Sequence, residues 1–155
     1  MFEKFMPKVC YGRNMKYRFD GYNWLVRFDR GEKLVEGLVE LVKDENIRGA
    51  WISGLGAAEG AELGFYNLDT QAYEWKKLDQ LLEITSLQGN VAWEGNEPIL
   101  HVHGTFSDHS LQAFGGHVKE LQVGGTCEVL LHRWYEQDGL KRSEDAETGL
   151  KLLDL

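Results

Sequence analysis

Apolar residues recur at helical spacing in only one stretch of this chain, and everything after it reads as short strands. Leu34, Val35, Leu38, Val39, Leu41 and Val42 form a broad apolar stripe, with Glu36, Glu40, Lys43 and Asp44 on the wet side. Asp29-Arg30-Gly31-Glu32 before it has the form of a capping box. Asp29 can accept from free backbone amides and Glu32 can reach back, so a helix is expected to begin there and run to about Asn46. Tyr22, Trp24, Val26 and Phe28 alternate with Asn23, Leu25 and Arg27, the period-two signature of a strand with one inward face. Gly49 to Ser53 is a short apolar run, and a crossover from the first strand makes it the third member of a β-α-β unit.

From Ala61 onward the signals are strands only, over 62–67, 73–78, 83–87, 89–93, 99–106, 118–123 and 127–135. Asn67-Leu68-Asp69-Thr70 and Glu94-Gly95-Asn96-Glu97-Pro98 carry the residues that reverse a strand into its antiparallel neighbour. The expected class is therefore α/β in the α+β sense: a mostly antiparallel sheet after one β-α-β start. Gly54-Leu55-Gly56-Ala57 lacks the third glycine of a dinucleotide-binding loop, since position 59 is Glu, and is expected to be a tight turn. Residues 1–21 read as a lead-in, 22–136 as the domain and 137–155 as a charged tail. In that tail Leu150, Leu152, Leu153 and Leu155 can dock or add an edge strand.

The length, 155 residues, and 43% hydrophobic content suit one domain with a full core. A net charge of -8 opposes association with phosphate backbones and anionic lipid surfaces. Neither a leader-like apolar segment nor a membrane-length apolar run is present, so a cytoplasmic location is expected. Cys10 and Cys127 stand in no paired motif and are read as reduced and structural.

Chemistry concentrates in the histidines. On a strand over 99–106, His101 and His103 share a face with Ile99 and Thr105, opposite Leu100, Val102 and Phe106. Their α-carbons then lie about 6.6 Å apart, and two ring nitrogens can tilt to about 2.0–2.1 Å from one zinc ion. His117 follows Phe114-Gly115-Gly116, where a glycine pair lets the backbone bend tightly or pass close to a site. Three imidazoles leave a tetrahedral metal one open position for water or substrate. Asp108, His109 and Glu83 are candidates for a fourth ligand or an outer acceptor. His132, beside Trp134, reads as structural.

The ordered set Arg27 to Glu32, Ile47 to Ala57, Leu63 to Tyr66, Leu82 to Asn90, Ile99 to His103 and Gly115 to His117 resembles the plant and prokaryote conserved (PPC) domain family. The resemblance spans about residues 22 to 136. It implies an α/β fold that packs as a homotrimer. It also implies a zinc site in some members, at the histidines matching His101, His103 and His117. Stand-alone prokaryotic members are commonly assigned to DNA binding. Plant members carry an Arg-Gly-Arg-Pro hook, which is absent here, since Arg30-Gly31 is followed by Glu32. Five Trp residues and many short strands on a modest chain also suggest apolar surface for a partner to cover.

Three function classes follow. One is a homotrimeric, zinc-binding regulatory or binding module, with one ion per chain and a small-molecule ligand as a candidate partner; DNA is disfavoured by charge. The second is a zinc-dependent hydrolase of small molecules, with Glu83 or Asp108 as general base. The third is a cupin-type metal enzyme, because Gly95, His101, His103, Asp108 and Gly115 have the spacing of the first cupin motif with Asp in place of its usual Glu. The second cupin motif is not found.

Overall fold

The computed structural model describes residues 10–11, 15–135 and 138–155. The side chain of Cys10 and the first nine residues of the expected lead-in lie outside that description. The elements are β1 (Cys10–Tyr11), β2 (Met15–Phe19), β3 (Asn23–Asp29), α1 (Leu34–Asp44), β4 (Ala50–Asn67) and β5 (Ala72–Leu78). They continue with β6 (Leu82–Glu94), β7 (Glu97–Ser107), β8 (Ala113–Arg133), β9 (Arg142–Glu144) and β10 (Lys151–Leu153). β1 to β8 form one antiparallel sheet, and β9 with β10 a separate hairpin.

Four strands close on themselves. β4 pairs β6, β6 pairs β7, β7 pairs β8, and β8 returns to β4. A closed ring removes the edges that would otherwise expose unpaired backbone groups. β3 extends the ring along the free edge of β8, β2 and β1 extend β3, and β5 extends β4. The core fills with the alternate inward residues Val26, Phe28, Ile52, Leu87, Phe106 and Val129, all close to fully buried. α1 adds Leu34, Leu38, Leu41 and Val42, which pack against β8 and β7.

Several local expectations are corrected. Residues 15–19, placed in the lead-in, form β2 on the edge of β3. The β-α-β unit is split: β3 and β4 run parallel, but β8 lies between them, antiparallel to both. Gly54 to Ala57 is not a turn. It lies inside β4 at a bulge, where Gly56 takes φ 151° and a Cβ would stand 2.2 Å from Thr126 O. The stretches 49–53 and 62–67 are thus one strand. β6 likewise joins the two strands expected over 83–93, and β8 those over 118–135. Long strands with bulges coil tightly enough to close a small ring, and local alternation slips phase at each bulge.

The helix begins later than the capping box places it. Glu32 does reach back to the Asp29 N–H at 2.7 Å, but Gly31 turns away with φ 87° and Lys33 at the N-cap makes no side-chain cap. The carboxylate of Glu120 on β8 accepts from Val35 N–H at 2.8 Å and Glu36 N–H at 3.0 Å. A distant side chain therefore caps α1 and complements its dipole. Cys127 is buried, and burial pushes its thiol up to about 12, so it packs as an apolar residue.

Candidate metal centre

β7 and β8 bring the three histidines together through register. His103 pairs directly with His117, and His101 stands two residues along the same face of β7. Gly115 and Gly116 do not form a bend; both lie within β8. Their role is close approach, since a Cβ on Gly115 would meet Gly104 O at 2.4 Å and one on Gly116 would meet Gly64 O at 2.9 Å. The absence of side chains lets β8 pass between β7 and β4.

The ring centroids lie 5.0 Å apart for His101–His103, 5.3 Å for His101–His117 and 5.4 Å for His103–His117. One ring nitrogen of each lies within 4.8 Å of the others, and His101 Nε2 is 3.1 Å from His103 Nε2. Tetrahedral ligands about 2.1 Å from a zinc ion stand about 3.4 Å apart. The donor set fits such an ion after small ring rotations.

The outer faces of the rings are also engaged. His117 Nδ1 lies 3.5 Å from the Tyr73 hydroxyl, and the rings stand 4.8 Å apart. Tyr73 stacks on Trp75 at 4.7 Å, and both lie over Gly64, where a Cβ would meet Trp75 carbons at 2.5 and 2.8 Å. His101 Nδ1 lies 3.3 Å from Nη2 of Arg142, which also donates to Asn90 Oδ1 at 2.8 Å. Asn90 is the partner of His101 across the β6–β7 ladder. A guanidinium only donates, so in the metal-free chain Nδ1 of His101 accepts and its ring proton is assigned to Nε2; ligation of an ion through Nε2 would require the other tautomer and release of the Arg142 contact.

Burial lowers the pKa of His101, with Arg142 and His103 adding repulsion. His117 falls to about 4, first through burial and then through repulsion from His101, His103 and Arg142. Both rings are therefore neutral near pH 7, the form that ligates a metal. Beside them lies a cavity of about 430 Å³, lined among others by Tyr66, Tyr73, His101, His117, Arg142 and Lys151.

The remaining candidates stand apart from this donor group. Asp108 caps its own turn, accepting from Ser110 N–H at 2.8 Å and Gln112 N–H at 3.2 Å. That use of the carboxylate removes the Asp108 of the cupin-like spacing from the histidines. Glu83 is exposed and pairs with Ser107, well along the ladder from the Gln88–His103 pair. His109 contacts Ser110 Oγ at 3.3 Å. His132, read as structural, is exposed and bonds Asn23 Oδ1 at 2.7 Å. Sequence reasoning missed Tyr73 and Arg142. The only signal was the apolar cluster of the tail, whose docking carries Arg142 into place.

Among the described residues, no helix is long and apolar enough to cross a membrane. No functionally curated protein matches the sequence. Solved structures do. A Bacteroides thetaiotaomicron protein described as a "putative DNA-binding protein" is 26% identical, with TM-score 0.87 over 92% of this chain and 98% of its own. A metal-containing protein from Archaeoglobus fulgidus is 30% identical, with TM-score 0.80 over 99% of this chain and 100% of its own. A plant- and prokaryote-conserved protein from Pyrococcus horikoshii is 26% identical, with TM-score 0.78 over 94% of this chain and 98% of its own. The sequence matches the profile of the Plants and Prokaryotes Conserved (PCC) domain over residues 15–134, and the chain belongs to that family.

Proposed function

We propose that this chain is a metal-binding module in which His101, His103 and His117 hold one zinc ion per chain, with a coordination position left open toward a small-molecule ligand. The observation that carries this reading is the convergence of three imidazole donors within 4.8 Å beside a cavity. Imidazole suits zinc, and three protein ligands with an open fourth position are the pattern of accessible zinc sites. When bound, the ion supplies a Lewis-acidic centre. Tyr73 orients His117 by accepting from its Nδ1, and β7 with β8 holds the rings in register. The metal-containing archaeal relative supports the reading.

The module works as a homotrimer in this proposal. Leu25, Leu130 and Ser53 align across β3, β8 and β4, and with Trp51 and Leu55 they leave an apolar outer face; Leu25 is 55% and Leu55 58% exposed. A hydrolytic role through Glu83 or Asp108 is not part of it, because Asp108 caps its own turn and Glu83 stands opposite Ser107, well along the ladder from the histidines. A DNA-binding role draws on the description of the Bacteroides relative, and the net charge of -8 opposes it.

The test is metal content by elemental analysis of the wild type against His101→Ala and His103→Ala. About one zinc per chain, by the tetrahedral-site stoichiometry, is expected in the wild type and little in either variant. Full zinc retention in both variants refutes the assignment.

A further inference from the structure

We propose that the cavity beside His101 and His117 binds a small carboxylate anion, with Arg142 as its countercharge and the Tyr73 hydroxyl as a hydrogen-bond donor. The C-terminal hairpin of β9 and β10 forms one wall of this cavity and delivers Arg142 to it. Arg142 is 8% exposed, and among the described residues no carboxylate pairs with it. A buried charge without an opposite charge is costly, and proteins normally pair it.

The partners Arg142 does have are neutral. It donates to Lys151 O, Asn90 Oδ1 and His101 Nδ1, and among the described residues its Nε–H has no acceptor. The other cation on the wall, Lys151, already pairs with Glu94. Among the described residues, no Asp or Glu lines the cavity. The pocket thus presents one uncompensated planar cation together with phenol and imidazole groups. A planar monoanion matches a guanidinium, whereas a phosphate dianion would leave charge unmet. The volume, about 430 Å³, lies within the range of small-ligand sites.

The inference rests on the metal reading only for a second contact, in which one carboxylate oxygen takes the open coordination position. Arg142 supplies the charge with or without the ion.

Lactate and its neutral amide, lactamide, separate charge from shape without any substitution. Calorimetric titration of the zinc-loaded wild type should show lactate binding at least about tenfold tighter than lactamide, as a charge-assisted contact requires. Arg142→Gln should shrink the difference in the zinc-loaded protein and erase it in the metal-free protein, and Arg142→Lys should keep part of it, with circular dichroism checking that each variant is folded. Equal binding of the two probes, no saturable lactate binding in any form, or tighter binding of inorganic phosphate overturns the proposal. Should the protein take up no zinc, the metal reading fails alone, and the same titration of the metal-free wild type decides the anion site.

Discussion

His103 and His117 are direct partners across the β7–β8 ladder, although the sequence places His103 on a strand and His117 after a glycine bend outside any strand. Opposed residues on one face of an antiparallel pair place their Cβ atoms about 4.5–5.5 Å apart. Two imidazoles are thereby held at ligating distance by backbone hydrogen bonds, and His101 completes the group from the same face. The site is as rigid as the ladder that carries it.

That dependence can be probed at Gly115, where a Cβ would press on the Gly104 carbonyl at 2.4 Å. Gly115→Ala should force β7 and β8 apart, destabilising the fold by about 1–3 kcal/mol and lowering zinc uptake. Gly125→Ala meets nothing nearer than Ala57 Cβ at 4.0 Å and should stay within about 0.5 kcal/mol of the wild type. Thermal melts and elemental analysis of both variants check the contrast.

The burial of His117 has a pH signature in the metal-free protein. The unfolded ring takes up its proton near pH 6.5 and the folded ring only near pH 4, so between those values the unfolded state binds more protons. Stability therefore falls as pH drops through that window, and His101, lowered in the same direction, adds to the slope. His117→Gln should flatten the dependence in urea melts run from pH 7 to 4. An unchanged slope would show that the ring is not excluded from its proton. Zinc should be expelled over the same window, because protons compete for its ligands.

Glu120 caps α1 from 85 residues away along the chain. Glu120→Ala should cost about 1 kcal/mol, the usual loss of an N-cap, with no change in zinc content. Asp29→Ala should cost less, because the Asp29 side chain caps no helix amide and its bonds to Lys16 and Arg27 are exposed. Chemical denaturation of the two variants ranks them.

The apolar face formed by Leu25, Trp51, Leu55 and Leu130 predicts self-association. Leu25→Glu with Leu130→Glu should convert a trimer to a monomer by light scattering while leaving the melt of each chain's core cooperative. A wild type that is monomeric at micromolar concentration removes the trimer.

The sequence alone determined the class, helix α1, the two hairpin turns at Asn67 and Glu94, the inward and outward faces of β3 and β7, and the three histidines. These depend on alternation, turn chemistry and residue type, which are local. Tertiary structure alone decided where strands continue through bulges, that β8 enters between β3 and β4, that Glu120 rather than Asp29 starts the helix, and that the tail sets Arg142 against His101. Each of these is a meeting of segments far apart in the chain. Register and packing select it by the burial and hydrogen bonds it makes possible, and no window of neighbouring residues records that choice.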